Sequence, residues 1–265
     1  MSYHSLLAHK AVLPPSRELF FWDFDGTLCD SVRETGHTGF LSCLYLWPQF
    51  RAYGGGDFTL DVHAPPAVIE GFKLIRPLLH TGWEAAVMVR LLIEAGDTAA
   101  SEETAKRIGA EWTASTCEEH LQRWAASAGG SAVTKQNVMD AFNTVRQQWI
   151  AADLAGWVTM HDAYPLPLAA FRVLAAEVPE QTYIVTTKGA EFVQVILRHW
   201  GVHGFADAHI YGLGSGDKLE TIHRVTKEHE VAATASAGHA ADRMRSEGKL
   251  VRCVAFISLC VCAVV

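Results

Sequence analysis

The chain has 265 residues, of which 49% are hydrophobic and 19% are charged, and its formal net charge is −7. This balance is typical of a globular protein with a substantial core and excludes a largely disordered chain. The net negative charge argues against a nucleic-acid binder, which usually carries a basic face, although an anionic substrate could still bind at a locally positive site. The length favours one core that carries an inserted segment.

The first strong local signal is the run LFFW at residues 19–22, which predicts a strand. Asp23 and Asp25 follow it directly, and Gly26 allows the chain to turn. A buried strand rarely ends in carboxylates unless they bind or react with something. Residues two apart at the end of a strand point to the same side, so both acids are expected to face one ligand.

Residues 31–160 read as helices separated by loops. TGWEAAVMVRLLIEAG predicts a helix that starts at Thr81 and stops at Gly96, and Ser101 is the expected N-cap of the next helix. A later helix carries a stripe of apolar residues at 4, 3, 4 spacing, which is typical of packing. The stripe consists of Val138, Phe142, Val145 and Trp149.

The pattern changes after Tyr164, where helices and strands alternate. The strands are TYIVT at residues 182–186 and HIYG at residues 209–212, and the helices between and around them include AEFVQVILRHW and KLETIHRVTKEH. Such alternation predicts a parallel sheet with helices on its faces. The fold class is therefore α/β, with a Rossmann-like parallel-sheet core at residues 1–31 and 164–265. Residues 32–163 form a mainly helical insertion.

The two aspartates predict a ligand site at the carboxyl edge of this sheet, where such folds bind ligands. Two close carboxylates repel each other unless a cation or a shared proton relieves them. Mg²⁺ takes oxygen ligands and would serve. One carboxylate could then act as a nucleophile while the other transfers protons.

DFDGTLCDS resembles the DxDGTLxDS signature of the haloacid dehalogenase superfamily, in particular its phosphatases. The resemblance implies that Asp23 attacks phosphorus to form an aspartyl phosphate and that Asp25 is the general acid and base. It also implies Mg²⁺ as cofactor, held in part by Asp23 and Asp25. The implied substrate is a small phosphorylated molecule.

Two further segments resemble motifs of this superfamily. YIVTTKG is similar to the second motif, which makes Thr186 a phosphate-binding residue. Lys218 in GLGSGDKLETI is similar to the lysine of the third motif, which also binds phosphate. The resemblance covers about residues 18–31 and 164–229, and the insertion takes the place of the helical cap. A nucleotide-binding reading of GLGSGDK is disfavoured, because its glycines give GxGxG and not GxGxxG.

The fourth motif of the superfamily, an apolar strand that ends in acids, has no clear match. Asp242 is a weak candidate for the missing metal ligand. The apolar run at residues 253–265 is short for a membrane span, which needs about 20 residues, and a terminal strand is favoured. Two functional classes therefore stay open. The first is a Mg²⁺-dependent phosphomonoester phosphatase, and the second is a catalytically defective relative that acts as a binding module.

The cysteine pattern favours a reducing compartment. No CxxC pair is present, and the first residues contain no apolar stretch of signal-peptide length. Free thiols and a cytoplasmic location are therefore expected, without a prediction of oligomeric state. The six cysteines are Cys29, Cys43, Cys117, Cys253, Cys260 and Cys262.

Overall fold

The computed structural model of the chain describes residues 18–96, 99–113, 115–127, 133–236 and 252–256. Four strands form a parallel sheet in the order β5-β4-β1-β6. They are β1 (Glu18–Trp22), β4 (Thr182–Val185), β5 (Ile210–Tyr211) and β6 (Arg252–Phe256). Two short strands, β2 (Cys29–Asp30) and β3 (Asp162–Ala163), pair antiparallel outside this sheet. The predicted α/β fold with a parallel sheet is confirmed.

The central strand β1 is apolar on both faces because both faces are covered. Phe20 and Trp22 belong to one hydrophobic cluster, whereas Leu19 and Phe21 pack on the other side against Tyr183 and neighbouring residues. A parallel strand that is buried on both sides reads as a continuous apolar run. This explains why residues 19–22 show no polar alternation.

Ten helices surround the sheet or lie in the segment between β2 and β3, as far as the chain is described. Between β2 and β3 lie α1 (Val32–Leu46), α2 (Pro66–Ile75), α3 (Glu84–Ala95), α4 (Glu102–Glu111), α5 (Thr116–Ser127), α6 (Lys135–Ala152) and α7 (Leu154–Thr159). The later helices are α8 (Pro165–Glu177), α9 (Ala190–His199) and α10 (Lys218–Ser236). Within the described ranges, no helix is both long enough and apolar enough to cross a membrane.

Two of the three hydrophobic clusters among the described residues accompany this division of the chain, and the third is the cluster of Leu19 and Phe21 on the other face of β1. One is built from buried residues of α1 to α6 and includes Val138, Phe142 and Val145 of the predicted stripe. The other lies against the sheet and includes Trp149 and Trp157. The division into a core and an insertion at residues 32–163 stays a proposal, and the two clusters are the observation that supports it.

The local helix signals of the sequence were mostly correct. The Ser101 hydroxyl accepts a hydrogen bond from the Thr104 N–H at 3.1 Å, as an N-cap should. Helix α3 ends before Gly96, which has φ 59°. Its predicted start at Thr81 was early, because the Glu84 carboxylate accepts from the Thr81 N–H at 3.1 Å and holds the preceding residues in a turn.

The apolar C-terminal segment supplies β6, which pairs with β1 so that Phe256 lies beside Trp22. A strand was the favoured interpretation of this segment, and it is confirmed for residues 252–256. Residues 257–265 and Asp242 lie outside the described residues. The role of Asp242 as a metal ligand therefore stays a prediction.

The contact between α1 and α3 gives a stability prediction. A Cβ on Gly39 would lie 2.8 Å from the backbone oxygen of Ala85. Because backbone cannot move aside cheaply, Gly39→Ala is expected to lower the free energy of unfolding by about 1–3 kcal/mol, measured by urea denaturation. Gly109→Ala in α4 is the control, since its Cβ would meet only Leu78, at 3.4 Å. That change should be neutral or stabilise by up to about 1 kcal/mol, and equal losses in both variants would contradict the packing argument.

Candidate active site

Asp23 lies at the carboxyl end of β1, where the sheet opens onto a cavity. It is 8% exposed. Its Oδ1 accepts a hydrogen bond from the Phe24 N–H at 2.8 Å, and its Oδ2 accepts one from Lys218 Nζ at 2.7 Å. The structure thus brings together two of the predicted site residues, which are 195 positions apart in the chain.

Lys218 reaches Asp23 because the loop before α10 turns sharply. Gly214 and Gly216 have φ values of 93° and 100°, which side chains rarely allow. Asp217 then accepts hydrogen bonds from the N–H groups of Leu219 and Glu220, at 2.8 and 3.2 Å. These donors of the first helical turn are therefore used within the protein. This supports the interpretation of GLGSGDK as a turn that places Lys218, and not as a nucleotide-binding loop.

Asp25 is held by a tight loop that follows β1. The Phe24 carbonyl accepts from the N–H groups of the three residues at positions 27 to 29, and Gly26 has φ 81°. The Asp25 carboxylate lines the cavity, and its Oδ1 lies 3.4 Å from Lys188 Nζ. The predicted pair of aspartates therefore faces one cavity, as the spacing of the two residues implied.

Lys188 is a site residue that the sequence analysis missed. It is 6% exposed, and its ammonium group lies 3.4 Å from Asp25 and 3.9 Å from Glu34 Oε2. It stands only two positions after Thr186 in the segment YIVTTKG. Its position just after β4 could have indicated a site residue, because the end of β4 lies beside the end of β1, where Asp23 follows.

Thr186 is buried at the end of β4. Its N–H donates to the Tyr211 carbonyl at 2.9 Å, and its hydroxyl accepts from the Lys188 N–H at 3.2 Å. Thr187, the next residue, lines the cavity. In this arrangement Thr186 shapes the loop that carries Lys188, and its direct contact with phosphate stays a prediction.

Glu34, in the first turn of α1, is the centre of a buried charge network. Its side chain is fully buried. Arg146 donates to both of its oxygens, at 2.7 and 3.0 Å, and the Trp157 indole donates to Oε1 at 3.1 Å. The remaining partners within 4 Å are Thr35, Thr38, His161 and Lys188. Although burial acts to raise the pKa of Glu34, the charges of Arg146 and Lys188 hold that pKa well below its ordinary value of 4.5.

The two aspartates have opposite electrostatic environments. Burial raises the pKa of Asp23 above its ordinary value of 3.8, although the hydrogen bond from Lys218 acts against that rise. Burial also acts to raise the pKa of Asp25, but there the charges of Lys188 and Arg76 prevail and hold the pKa below 3.8. Asp25 is therefore a carboxylate at neutral pH, able to accept a proton.

The cavity at these residues has a volume of about 290 Å³. Its lining contains two carboxylates and four cationic side chains, so its local charge is positive although the protein is acidic. The cations are Arg76, Arg146, Lys188 and Lys218. Such a surplus of positive charge attracts and holds an anionic ligand.

The described residues fit a Mg²⁺ ion poorly. Both oxygens of Asp23 and one oxygen of Asp25 already accept hydrogen bonds from protein groups. In the described part of the chain, no group of three or more His, Cys, Asp or Glu side chains is arranged to hold a metal ion. Mg²⁺ requires near-octahedral oxygen ligands, and a surplus of cations opposes its binding. Mg²⁺ binding at Asp23 and Asp25 stays a prediction, with Asp242, outside the described residues, as the candidate further ligand.

Comparisons with known proteins give limited guidance. No protein-family model matches the chain, and no curated protein matches it. Among solved structures, a haloacid dehalogenase-like family hydrolase from Streptococcus pneumoniae is similar, with 17% sequence identity and a TM-score of 0.41. The match covers 81% of this chain and 71% of that one. The functional argument therefore rests on the site itself.

The Glu34 network gives a second stability prediction. Glu34→Gln leaves Arg146 and Lys188 buried without their carboxylate, and the loss of one partner of a buried pair typically costs about 3–5 kcal/mol. Urea unfolding at neutral pH measures this loss. Asp162→Asn is the control, because it removes a similar ion pair with Arg33 that is exposed on both sides. That loss should be below about 1 kcal/mol.

The same variant also has an expected pH dependence. Because folding lowers the pKa of Glu34, its contribution to stability is complete above its ordinary pKa of 4.5 and is lost as the pH falls further. The stability difference between Glu34→Gln and the unaltered protein should therefore shrink below about pH 4.5. A difference that is constant with pH would show that packing, and not charge, is what the substitution removes.

Proposed function

We propose that the protein is a haloacid dehalogenase-like hydrolase that removes the phosphoryl group from a small phosphorylated molecule. The observation that carries the proposal is the cavity at the carboxyl edge of the sheet, where Asp23 and Asp25 meet four cations. A phosphate ester dianion suits this charge, and a carboxylate at the end of the central strand suits nucleophilic attack. Cys29, Cys43 and Cys117 are free and buried, which fits the cytoplasmic location that we also propose.

In the proposed first step, an oxygen of Asp23 forms a bond to phosphorus while the bond from phosphorus to the alcohol oxygen breaks. The alcohol oxygen takes a proton from Asp25. In the second step, water attacks phosphorus and gives a proton to Asp25, the aspartyl–phosphate bond breaks, and phosphate leaves. Lys218 counters the negative charge that Asp23 and the phosphoryl group bring together.

Asp25 has to hold a proton before it can donate one, although the charges of Lys188 and Arg76 keep its pKa low. The bound phosphoryl group would change this in two ways. Its negative charge raises the pKa of a nearby carboxyl, and it competes with Asp25 for Lys188. Substrate binding would therefore prepare Asp25 as the general acid.

A second candidate function is phosphate-ligand binding without turnover. The observation that favours it is the shortage of carboxylates for Mg²⁺ among the described residues. A screen over a panel of phosphate esters, with and without Mg²⁺, separates the two functions when ligand binding is measured in parallel. Turnover of any ester supports the hydrolase, whereas binding without turnover supports the binding module.

The nucleophile assignment predicts the effect of one substitution. Asp23→Asn should reduce turnover of the best ester by several orders of magnitude. When catalytic residues act as a unit, the loss of one removes most of the rate enhancement of the whole set. The control is Asp207→Asn, which alters an exposed acid paired with Arg198 at 3.9 Å. It should keep its activity. Full turnover in Asp23→Asn would remove Asp23 from the mechanism.

Substitution of Lys218 is expected to lower kcat/KM more than substitution of Thr186. Lys218→Ala removes a charge beside the reacting centre and should cost about 3 kcal/mol in transition-state stabilisation. Thr186→Ala removes one neutral hydrogen bond to the loop of Lys188, which contributes about 1 kcal/mol. Measured kcat/KM values test this order, and an unchanged kcat/KM in Lys218→Ala would make that lysine a surface residue.

A further inference from the structure

Arg76 is distinguished from the other cavity cations by its lack of a partner. It begins the short 3-10 turn Arg76–Leu78, which follows α2. Its side chain lines the cavity and is half-buried. Its Nε is buried and forms no hydrogen bond, and among the described residues the guanidinium has no ion-pair partner. Arg76 acts on the Asp25 carboxyl through charge at longer range and helps to lower its pKa.

The other three cations are already engaged within the protein. Lys218 donates to Asp23 at 2.7 Å, and Lys188 lies 3.4 Å from Asp25. Arg146 is bound to Glu34 through two hydrogen bonds. Because unpaired donors of a charged group are costly to bury, a guanidinium left open to a cavity is best explained by a ligand.

The planar guanidinium fork of Arg76 matches a carboxylate in two parallel hydrogen bonds. The segment that carries it also lines the cavity with Leu79, His80 and Gly82, so Arg76 is the arginine that this segment presents to the ligand. A volume of about 290 Å³ suits a short molecule with two charged ends.

We propose that the substrate is a short phosphomonoester that also carries a carboxylate, and that Arg76 binds this carboxylate. The inference rests on the proposed function, since it assumes that the phosphoryl group lies at Asp23 and Lys218. Arg76 is then a specificity residue. It selects among phosphate esters and takes no part in proton transfer.

Binding to Asp23→Asn protein tests the proposal without turnover. The probes are n-alkyl phosphates of increasing chain length and the matching phosphates in which a carboxylate replaces the terminal methyl group, titrated by calorimetry. A hydrogen-bonded ion pair should make the best carboxylate bind about tenfold to a hundredfold more tightly than its alkyl partner.

Variants at Arg76 decide whether that preference comes from its guanidinium. Adding Arg76→Met should abolish the preference, whereas Arg76→Lys should keep part of it. The control is Lys73→Met, an exposed cation of α2, which should keep the full preference. Thermal unfolding of each protein verifies that it is folded.

Four results would overturn the proposal, and they identify what failed. Equal binding of both probe series, or a preference that survives Arg76→Met, removes the carboxylate site but leaves the phosphatase proposal intact. Equal weakening of both series in Arg76→Met would assign Arg76 to the phosphoryl group instead. If no phosphate ester binds at all, the proposed function fails and the inference falls with it.

Discussion

The arrangement of the site depends on the ion pairs and hydrogen bonds of one fully buried carboxylate, Glu34. A charge without access to water is stable only when opposite charges and hydrogen-bond donors surround it. Glu34 obtains these from α1 itself, from Arg146 on α6 and from Trp157 on α7. It also lies 3.9 Å from Lys188, in the loop after β4. The helices between β2 and β3 and the edge of the sheet are therefore joined by charge as well as by packing.

This junction explains how a lysine can be buried beside the cavity. The Lys188 ammonium lies between two carboxylates, Asp25 and Glu34, and its side chain is only 3% exposed. The two negative charges offset the loss of hydration that burial imposes on an ammonium group. The same lysine lowers the pKa of both carboxylates. A change at Glu34 would thus reach Asp25 through Lys188, although Glu34 does not line the cavity.

The sequence predicted those parts of the structure that depend on neighbouring residues. The strand at residues 19–22 and the turn at Gly26 follow from local pattern, and the aspartates between them face the cavity as their spacing implied. The closeness of Lys218 to Asp23 could be predicted only because the order of the motifs resembles that of the haloacid dehalogenase superfamily. The start of α3 was misplaced because the residues before Glu84 form a turn, in which the Glu84 carboxylate accepts from the His80 and Thr81 N–H groups, and the sequence pattern does not distinguish this turn from a first helical turn.

Glu34 and Arg76 could not be found from the sequence, and the reason is the same for both. Each resembles an ordinary helix-surface residue until distant elements are placed around it. The partner of Glu34 on α6 is 112 positions away, and the importance of Arg76 lies in having no partner among the described residues. Neither property leaves a periodic or local trace in the sequence.

The charges around the cavity impose an order on any phosphoryl chemistry there. Before an anion binds, Lys218 neutralises Asp23, and Lys188 keeps Asp25 ionised. An incoming phosphate must attract both lysines, because two carboxylates alone would repel it. In the proposed mechanism the phosphate would draw Lys188 away from Asp25, which would raise the pKa of Asp25 and allow it to hold a proton. Glu34 stays paired with Arg146 in the meantime, so the movement of one lysine leaves no uncompensated charge in the interior. Because Arg146 stays bound to Glu34, Lys188 would be available to the ligand with little loss in the free energy of unfolding.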